Sequence, residues 1–319
     1  MNTRLIYPTV NEADKVLKER CIQGMIRKFL EKPGILVKKA LEKELDIIRK
    51  QGTAAGYITV LQAFETVLLP DDKICCRGTM ASSLVAYLIG FSDFNPLDSL
   101  PALYSEFYFG MDGEKLPAFE FSVSSGVHDR LLGYFTGHTG KDDFVIKYDA
   151  ANNPYGVKLQ CGEEMDGNQV FSFNFPPVDD EAEFKQSLLS NELVSALRPT
   201  NLSDYVKCFG LYHGTGTWAG NAEDLINTGL ASLYEVIADR EDVYEYLLER
   251  GIDERSAYDV TEYVRKGLVN RKGWKPGMYE LLKDHGVPDW YVGACGKIQY
   301  LFSRAHASAL YRAFCKDSF

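Results

Sequence analysis

The chain has 319 residues, 45% of them hydrophobic and 25% charged, which gives ample apolar material for a core and excludes disorder and fibrous folds as whole-chain readings. The net charge is −10 but uneven, since residues 1–50 hold 12 Lys and Arg against 7 Asp and Glu and so carry +5. Phosphate neutralisation needs a concentrated basic face, and only this stretch supplies one; a solvated lysine-rich helix surface explains it equally well.

Taken in chain order, Pro33-Gly34 precedes a helix in which Val37, Leu41, Leu45 and Ile48 recur at helical spacing with Lys and Glu opposite. A second apolar helix runs through YITVLQAFETVLL to Pro70. Ile74–Cys76 reads as a short strand, followed by the small-residue turn Arg77-Gly78-Thr79 and a helix over Met80–Ile89 that ends at Gly90. The middle of the chain changes period. LPAFEFSV sets Phe119, Phe121 and Val123 against Ala118, Glu120 and Ser122, and VFSFNF sets Phe171, Phe173 and Phe175 against Ser172 and Asn174. Both carry the two-residue repeat of half-buried strands. FVIKYD and GVKLQ are further strand candidates between Gly/Asn/Asp-rich turns.

From about Glu181 the pattern is helical. Asp239 and Asp253 are placed to cap helices that stop at Gly251 and Gly267, Pro276 and Pro288 sit where a first helical turn tolerates proline, and Asn221 is placed to cap a helix starting at Ala222. The expected organisation is a mixed α/β part over 1–180 followed by a helical part over 181–319.

Several chemistries are excluded. No apolar run approaches the ~18 residues of a membrane span, and the start, MNTRLIYPTVNEADK, has no signal-peptide stretch. A cytoplasmic location with no membrane partner is expected. Seven scattered cysteines form no CxxC pair, and the five histidines (128, 138, 213, 285, 306) show no HxxxH or HExxH spacing. Disulfide frameworks and Cys- or His-based metal sites are disfavoured, and there is no GxSxG serine elbow. What remains is the strand–turn–helix element at 74–83, whose turn, helix start, Ser82, Ser83 and Arg77 suit a phosphate; tight packing explains the same small residues. His213-Gly214-Thr215-Gly216-Thr217-Trp218-Ala219-Gly220-Asn221 is glycine-rich, but its GxGxxxG spacing is not the dinucleotide fingerprint.

Together these stretches resemble the polymerase core of the PolC-type DNA polymerase III alpha subunits, a family of replicative polymerases. Four places carry the resemblance: Arg77–Ala86 with Asn95-Pro96-Leu97; Leu116–Ser122, at the family's PDIDxNF strand; Gly210–Ala222, like the family's SGLSHGTxxWxGNA; and Val287–Tyr291, Lys297–Phe302 and Arg304–Ala307, like its fingers run VPxWY…KIKYxFPKAHA. The resemblance implies an α+β fold, with a polymerase-β-like nucleotidyltransferase palm (a small mixed sheet with helices) followed by helical fingers. It implies Arg77, Gly78, Ser82, Ser83, His213, Lys297, Arg304 and His306 as phosphate- or nucleotide-facing positions.

The departures matter most. The family's two aspartates on the PDIDxNF strand are replaced by Ala118 and Glu120, and the counterpart of its third aspartate is Asn174. Losing a metal-binding carboxylate removes charge neutralisation and nucleophile alignment, costing orders of magnitude in rate. Three readings follow. The first is a catalytically inactive pseudo-polymerase that binds primer–template DNA, a nucleotide or a replication protein. The second is an active nucleotidyltransferase in which Glu120, with Asp149, holds Mg2+. The third is a protein-interaction module whose polymerase ancestry is only scaffold.

Overall fold

The computed structural model describes residues 5–29, 33–98, 102–137, 144–160, 169–178 and 192–315. His138, Cys161 and residues 179–191 lie outside them. The chain divides into two compact units, one built from 1–97 and 104–181 with 316–319, the other from 98–103 and 182–315.

The first unit opens with the short strand β1 (Leu5–Ile6) and three helices, α1 (Ala13–Lys28), α2 (Ile35–Gln51) and α3 (Ala54–Val67). In α2 the spacing expected from sequence buries Leu41 and Ile48, and Gly52 closes the helix at φ 70°. Strand β2 (Ile74–Cys76) leads into a 3₁₀ turn (Met80–Ser82) and the short helices α4 (Leu84–Leu88) and α5 (Glu106–Phe109). Strand β3 (Phe119–Val123) precedes α6 (Ser125–Gly137), and β4 (Phe144–Tyr148), β5 (Pro154–Leu159), β6 (Gln169–Val170) and β7 (Ser172–Asn174) follow.

Five of these strands make one mixed sheet in the order β2-β3-β7-β5-β4; β3 and β7 run parallel and the other neighbours antiparallel. β1 pairs with β6 separately. The alternation in FEFSV and VFSFNF reaches the fold directly. Phe119, Phe121, Phe171, Phe173 and Phe175 are all buried on one side, where Phe64 of α3 meets Phe121 and Phe173 at 4.9 and 5.5 Å. Phe135 of α6 meets Phe173 at 5.9 Å. Each such side chain contributes about 1.5–3 kcal/mol by leaving water, so the aromatic face fixes the register and commits Glu120, Ser172 and Asn174 to the other face.

The helix expected over Met80–Ile89 is broken at Ser83 (φ −92°, ψ 127°). The cause is Glu44, buried on α2, whose carboxylate accepts hydrogen bonds from the Ser83 hydroxyl (2.7 Å) and the amides of Leu84 (2.8 Å) and Val85 (2.9 Å). α4 therefore starts afresh on an internal carboxylate. Burial pushes the Glu44 pKa up to about 7, against these hydrogen bonds, which favour the charged form.

The second unit is helical among its described residues. It holds α7 (Glu192–Leu197), α8 (Leu202–His213), a π turn (Trp218–Ala222), α9 (Glu223–Asn227), α10 (Arg240–Glu249), α11 (Glu254–Arg265), α12 (Leu268–Lys272), α13 (Met278–Asp284), α14 (Asp289–Lys297) and α15 (Arg304–Cys315). Asp239 caps α10 with a full capping box to Asp242, and Asp253 caps α11, both as expected. The prolines fall earlier than expected: Pro288 is the residue before α14, and Pro276 lies outside α13. Asn221 is not a cap. Its amide donates to the carbonyls of Gly216 (2.8 Å) and Ala294 (3.2 Å), so it ties the glycine-rich loop to α14.

Candidate functional site

The polar face of the five-stranded sheet is where the resemblance places chemistry. Pairing aligns one row across the strands: Lys147 on β4 opposite Gly156 on β5, Gly156 opposite Asn174 on β7, and Asn174 opposite Glu120 on β3. Arg77, just past β2, joins the row by donating its amide to the Glu120 carbonyl at 2.8 Å. The side chains are linked as well. Lys147 Nζ donates to Ser172 Oγ (2.8 Å) and Asn174 Oδ1 (2.7 Å), and Asn174 Nδ2 donates to Glu120 Oε1 (2.9 Å). Arg77 Nη1 donates to Ser122 Oγ at 3.3 Å.

The structure thus brings Glu120, Asn174 and Arg77 together and leaves two expected positions out. Ala118 is exposed at the strand's start and offers no ligand atom. Asp149 lies in the β4–β5 turn, where its Oδ1 accepts from the amides of Ala151 (2.9 Å) and Asn153 (2.8 Å). Those turn hydrogen bonds lower its pKa. Its strand is three strand spacings from Glu120, about 14 Å, so the two carboxylates cannot share an ion.

The divalent ions implied by the resemblance do not fit this row. Mg2+ and Mn2+ require several hard oxygens, carboxylates foremost. Here Glu120 is the single carboxylate, and the Asn174 oxygen already accepts from an ammonium. Among the described residues no group of three or more His, Cys, Asp and Glu side chains is placed to hold a metal.

The turn after β2 is also committed internally. Gly78 takes a φ of +64° with open space where a side chain would begin. Ser82 donates to the Thr79 carbonyl at 2.7 Å, and Ser83 is fully buried against Glu44. The amides that would meet a phosphate at the start of α4 are those Glu44 holds.

In the second unit the two motif-bearing stretches pack on each other. Thr215 and Gln299–Tyr300 exchange backbone hydrogen bonds, and Gly216 (φ +74°) approaches so closely that a Cβ would lie 2.2 Å from the Lys297 carbonyl oxygen. Exposed Lys297 donates to the Gly220 carbonyl at 2.5 Å. Half-buried His213 lies 4.1 Å from the Phe209 ring and 6.1 Å from Phe302, and burial lowers its pKa. His306, 8% exposed, stacks on Phe302 at 5.6 Å.

Arg304 is enclosed. Its Nε donates to Asp239 (3.1 Å), Nη1 to Glu245 (2.7 Å) and the Ala102 carbonyl (3.2 Å), and Nη2 to Asp242 (3.0 Å) and Glu245 (2.8 Å). Burial opposes its charge, but the carboxylates of Asp239, Asp242 and Glu245 prevail and hold its pKa well above the ordinary arginine value. Every guanidinium nitrogen is thus spent inside the unit. The residues that sequence reasoning missed are Lys147, Gly156 and Glu44. The alternation in FVIKYD was available as a signal for Lys147, but its cross-strand register was not.

With this geometry in view, residues 15–147 match the family model described as the bacterial DNA polymerase III alpha NTPase domain. Over these residues the chain is similar to the bacterial DNA polymerase III alpha subunits, and the matching relatives are of the PolC type. It is 43% identical over 119 residues to the DNA polymerase III PolC-type of Streptococcus suis, 43% over 118 residues to that of Caldanaerobacter subterraneus and 42% over 118 residues to that of Bacillus subtilis. Each match covers 37% of this chain and 8% of the relative's length.

Proposed function

We propose that this protein is a non-catalytic polymerase relative that binds nucleic acid or nucleotide, its first unit a palm-like α/β domain and its second a fingers-like domain. One observation carries the reading: the polar row has a single carboxylate, Glu120, already hydrogen-bonded to Asn174. Phosphoryl transfer by the two-metal route needs carboxylates to position both ions, and each lost ligand raises the barrier by several kcal/mol. Binding has no such requirement. Lys297 is exposed beside the glycine-rich loop, and Tyr212 and Tyr300 expose aromatic surface near it, a pairing of cation and rings that suits a nucleotide or single strand. The family supports DNA or nucleotide as the ligand class; a replication protein is the alternative partner.

Two measurements on the purified chain test this. Primer extension and terminal addition with Mg2+ or Mn2+ are expected to yield no product, whereas product that disappears in Glu120→Gln would show a working transferase. Fluorescence anisotropy of labelled primer–template DNA is expected to show binding that weakens steeply with salt. No binding at low salt would remove DNA as the ligand and direct the search to protein partners.

A further inference from the structure

We propose that Lys147 is the resident cation of the polar sheet face, an ammonium tethered to the chain in the region where the resemblance implies exchangeable divalent metal. This deepens the non-catalytic reading and rests on it.

The first argument is the chemistry of Asn174. Its carbonyl oxygen faces the Lys147 ammonium at 2.7 Å and its amide nitrogen faces Glu120 at 2.9 Å. Lysine only donates and an ionised carboxylate only accepts, so the amide has one satisfactory orientation: a flip would set donor against donor and acceptor against acceptor. An aspartate at 174 would place two like charges side by side. Asparagine instead passes the attraction of the ammonium on to Glu120 through a neutral dipole.

The second argument is the path taken by the lysine. Lys147 and Asn174 sit on strands separated by β5, and the residue paired with both is Gly156. A Cβ at Gly156 would lie 3.1 Å from Asn174 Oδ1 and 2.5 Å from the Phe173 carbonyl oxygen. The missing side chain is what lets the lysine cross β5 and reach β7. Ser172 Oγ accepts a second ammonium proton at 2.8 Å, and the Tyr155 ring lies 4.9 Å from Nζ, within cation–π range. An oxygen, an amide oxygen and an aromatic face therefore surround Nζ, and four strands contribute to the arrangement.

The third argument is charge. Lys147 and Arg77 flank the one carboxylate of the row, which therefore carries a net charge of +1 at neutral pH. A divalent ion approaching Glu120 would meet fixed positive charge on both sides and an oxygen set already occupied. The neutralisation that a metal supplies to an acidic row is built into this one.

The test is Mn2+ titration of the full-length chain followed by electron paramagnetic resonance. Wild type is expected to show no stoichiometric Mn2+ site that depends on Glu120. The double substitution Lys147→Ala with Asn174→Asp removes the ammonium and sets a second carboxylate beside Glu120; its Mn2+ affinity is expected to rise by about tenfold or more. Stoichiometric Mn2+ in wild type that is lost in Glu120→Gln overturns the proposal, as does a folded double variant that gains no affinity. Should that variant not fold, the Lys147 ammonium resonance of 15N-lysine-labelled wild type decides. It is expected to persist unshifted on addition of Mg2+, and its displacement by Mg2+ overturns the proposal. Mn2+ bound at the row without nucleotide addition would sink the lysine inference while leaving the non-catalytic reading intact.

Discussion

Replacing Arg304 by methionine separates a structural arginine from a ligand-binding one. The family resemblance implies a nucleotide-facing role for it, yet its guanidinium makes five hydrogen bonds inside the second unit. Methionine preserves much of the apolar stem and removes the charge. Asp239, 2% exposed, would lose its guanidinium partner, and Asp242 would keep Lys207 at 3.1 Å as its charge partner. Leaving buried charge uncompensated in this way costs about 3–5 kcal/mol. At roughly 2–4 °C per kcal/mol for a chain of this order of size, the melting temperature should fall by about 6–20 °C.

The pH dependence sharpens the prediction. Burial holds the Asp239 pKa at about 6 even with Arg304 opposing that rise, against 3.8 for an unburied aspartate. A raised carboxylate pKa means that its contribution is fully present below the unfolded value and is lost as pH rises through the folded one. Removing Arg304 raises the folded pKa further, so the variant carries a neutral Asp239 at pH 5 and pays the charge penalty at pH 8. Thermal unfolding followed by circular dichroism should therefore show a larger deficit at pH 8 than at pH 5. A variant that melts with wild type at pH 8 but loses DNA binding would refute the reasoning and restore Arg304 as a ligand residue.

Other perturbations test other parts of the fold. Glu44→Gln should flatten the stability profile between pH 4.5 and 7, because the carboxylate's contribution is full below 4.5 and lost as pH rises through about 7; at 1.36 kcal/mol per pKa unit the effect is on the order of 3 kcal/mol, readable by urea denaturation across that range. Gly156→Ala sets a Cβ against the backbone of β7, 2.5 Å from Phe173 O and 2.9 Å from Asn174 Cα, and should cost about 1–3 kcal/mol; an unchanged melting temperature would mean the strands separate easily there. Lys297→Ala removes one hydrogen bond from an exposed side chain, so stability should change by less than about 1 kcal/mol. The salt slope of primer–template binding should fall by about one, and an unchanged slope would exclude Lys297 as a phosphate contact.

The sheet was legible because phenylalanines at alternate positions leave one arrangement that buries them, and that arrangement alone decides which face carries Glu120 and Asn174. The caps at Asp239 and Asp253 were legible because capping is local chemistry. What sequence could not supply was the partner across space. Glu44 lies on a lysine-rich helix and reads as surface until the fold turns it under α4, where it ends the helix expected over 80–89. Lys147 lies in an unremarkable strand until register sets it opposite a glycine. Asp149 fails as a metal ligand for the same reason, since two further residues along β4 carry it off the row into a turn.

The glycine-rich motif of the second unit and the polar row of the first bear differently on function. Gly216 is required by the Lys297 carbonyl, Gly210 by the Ala238 carbonyl 2.6 Å from where its Cβ would stand, Asn221 by the carbonyls of Gly216 and Ala294, and Arg304 by three acids. Each has a packing reason sufficient in itself, so the motif's presence does not demand a ligand. Packing supplies no such explanation for the polar row. Glu120, Asn174, Lys147 and Arg77 are half-buried polar side chains on the face away from the aromatic core, where apolar or small residues would close a sheet more simply. Ordering a lysine side chain costs about 1.5–2 kcal/mol of rotamer freedom, and a network fully satisfied at that cost fixes one arrangement of charge. In a fold whose stability comes from the opposite face, that arrangement of charge is the feature with the least structural explanation, and the place where a ligand's influence should be sought first.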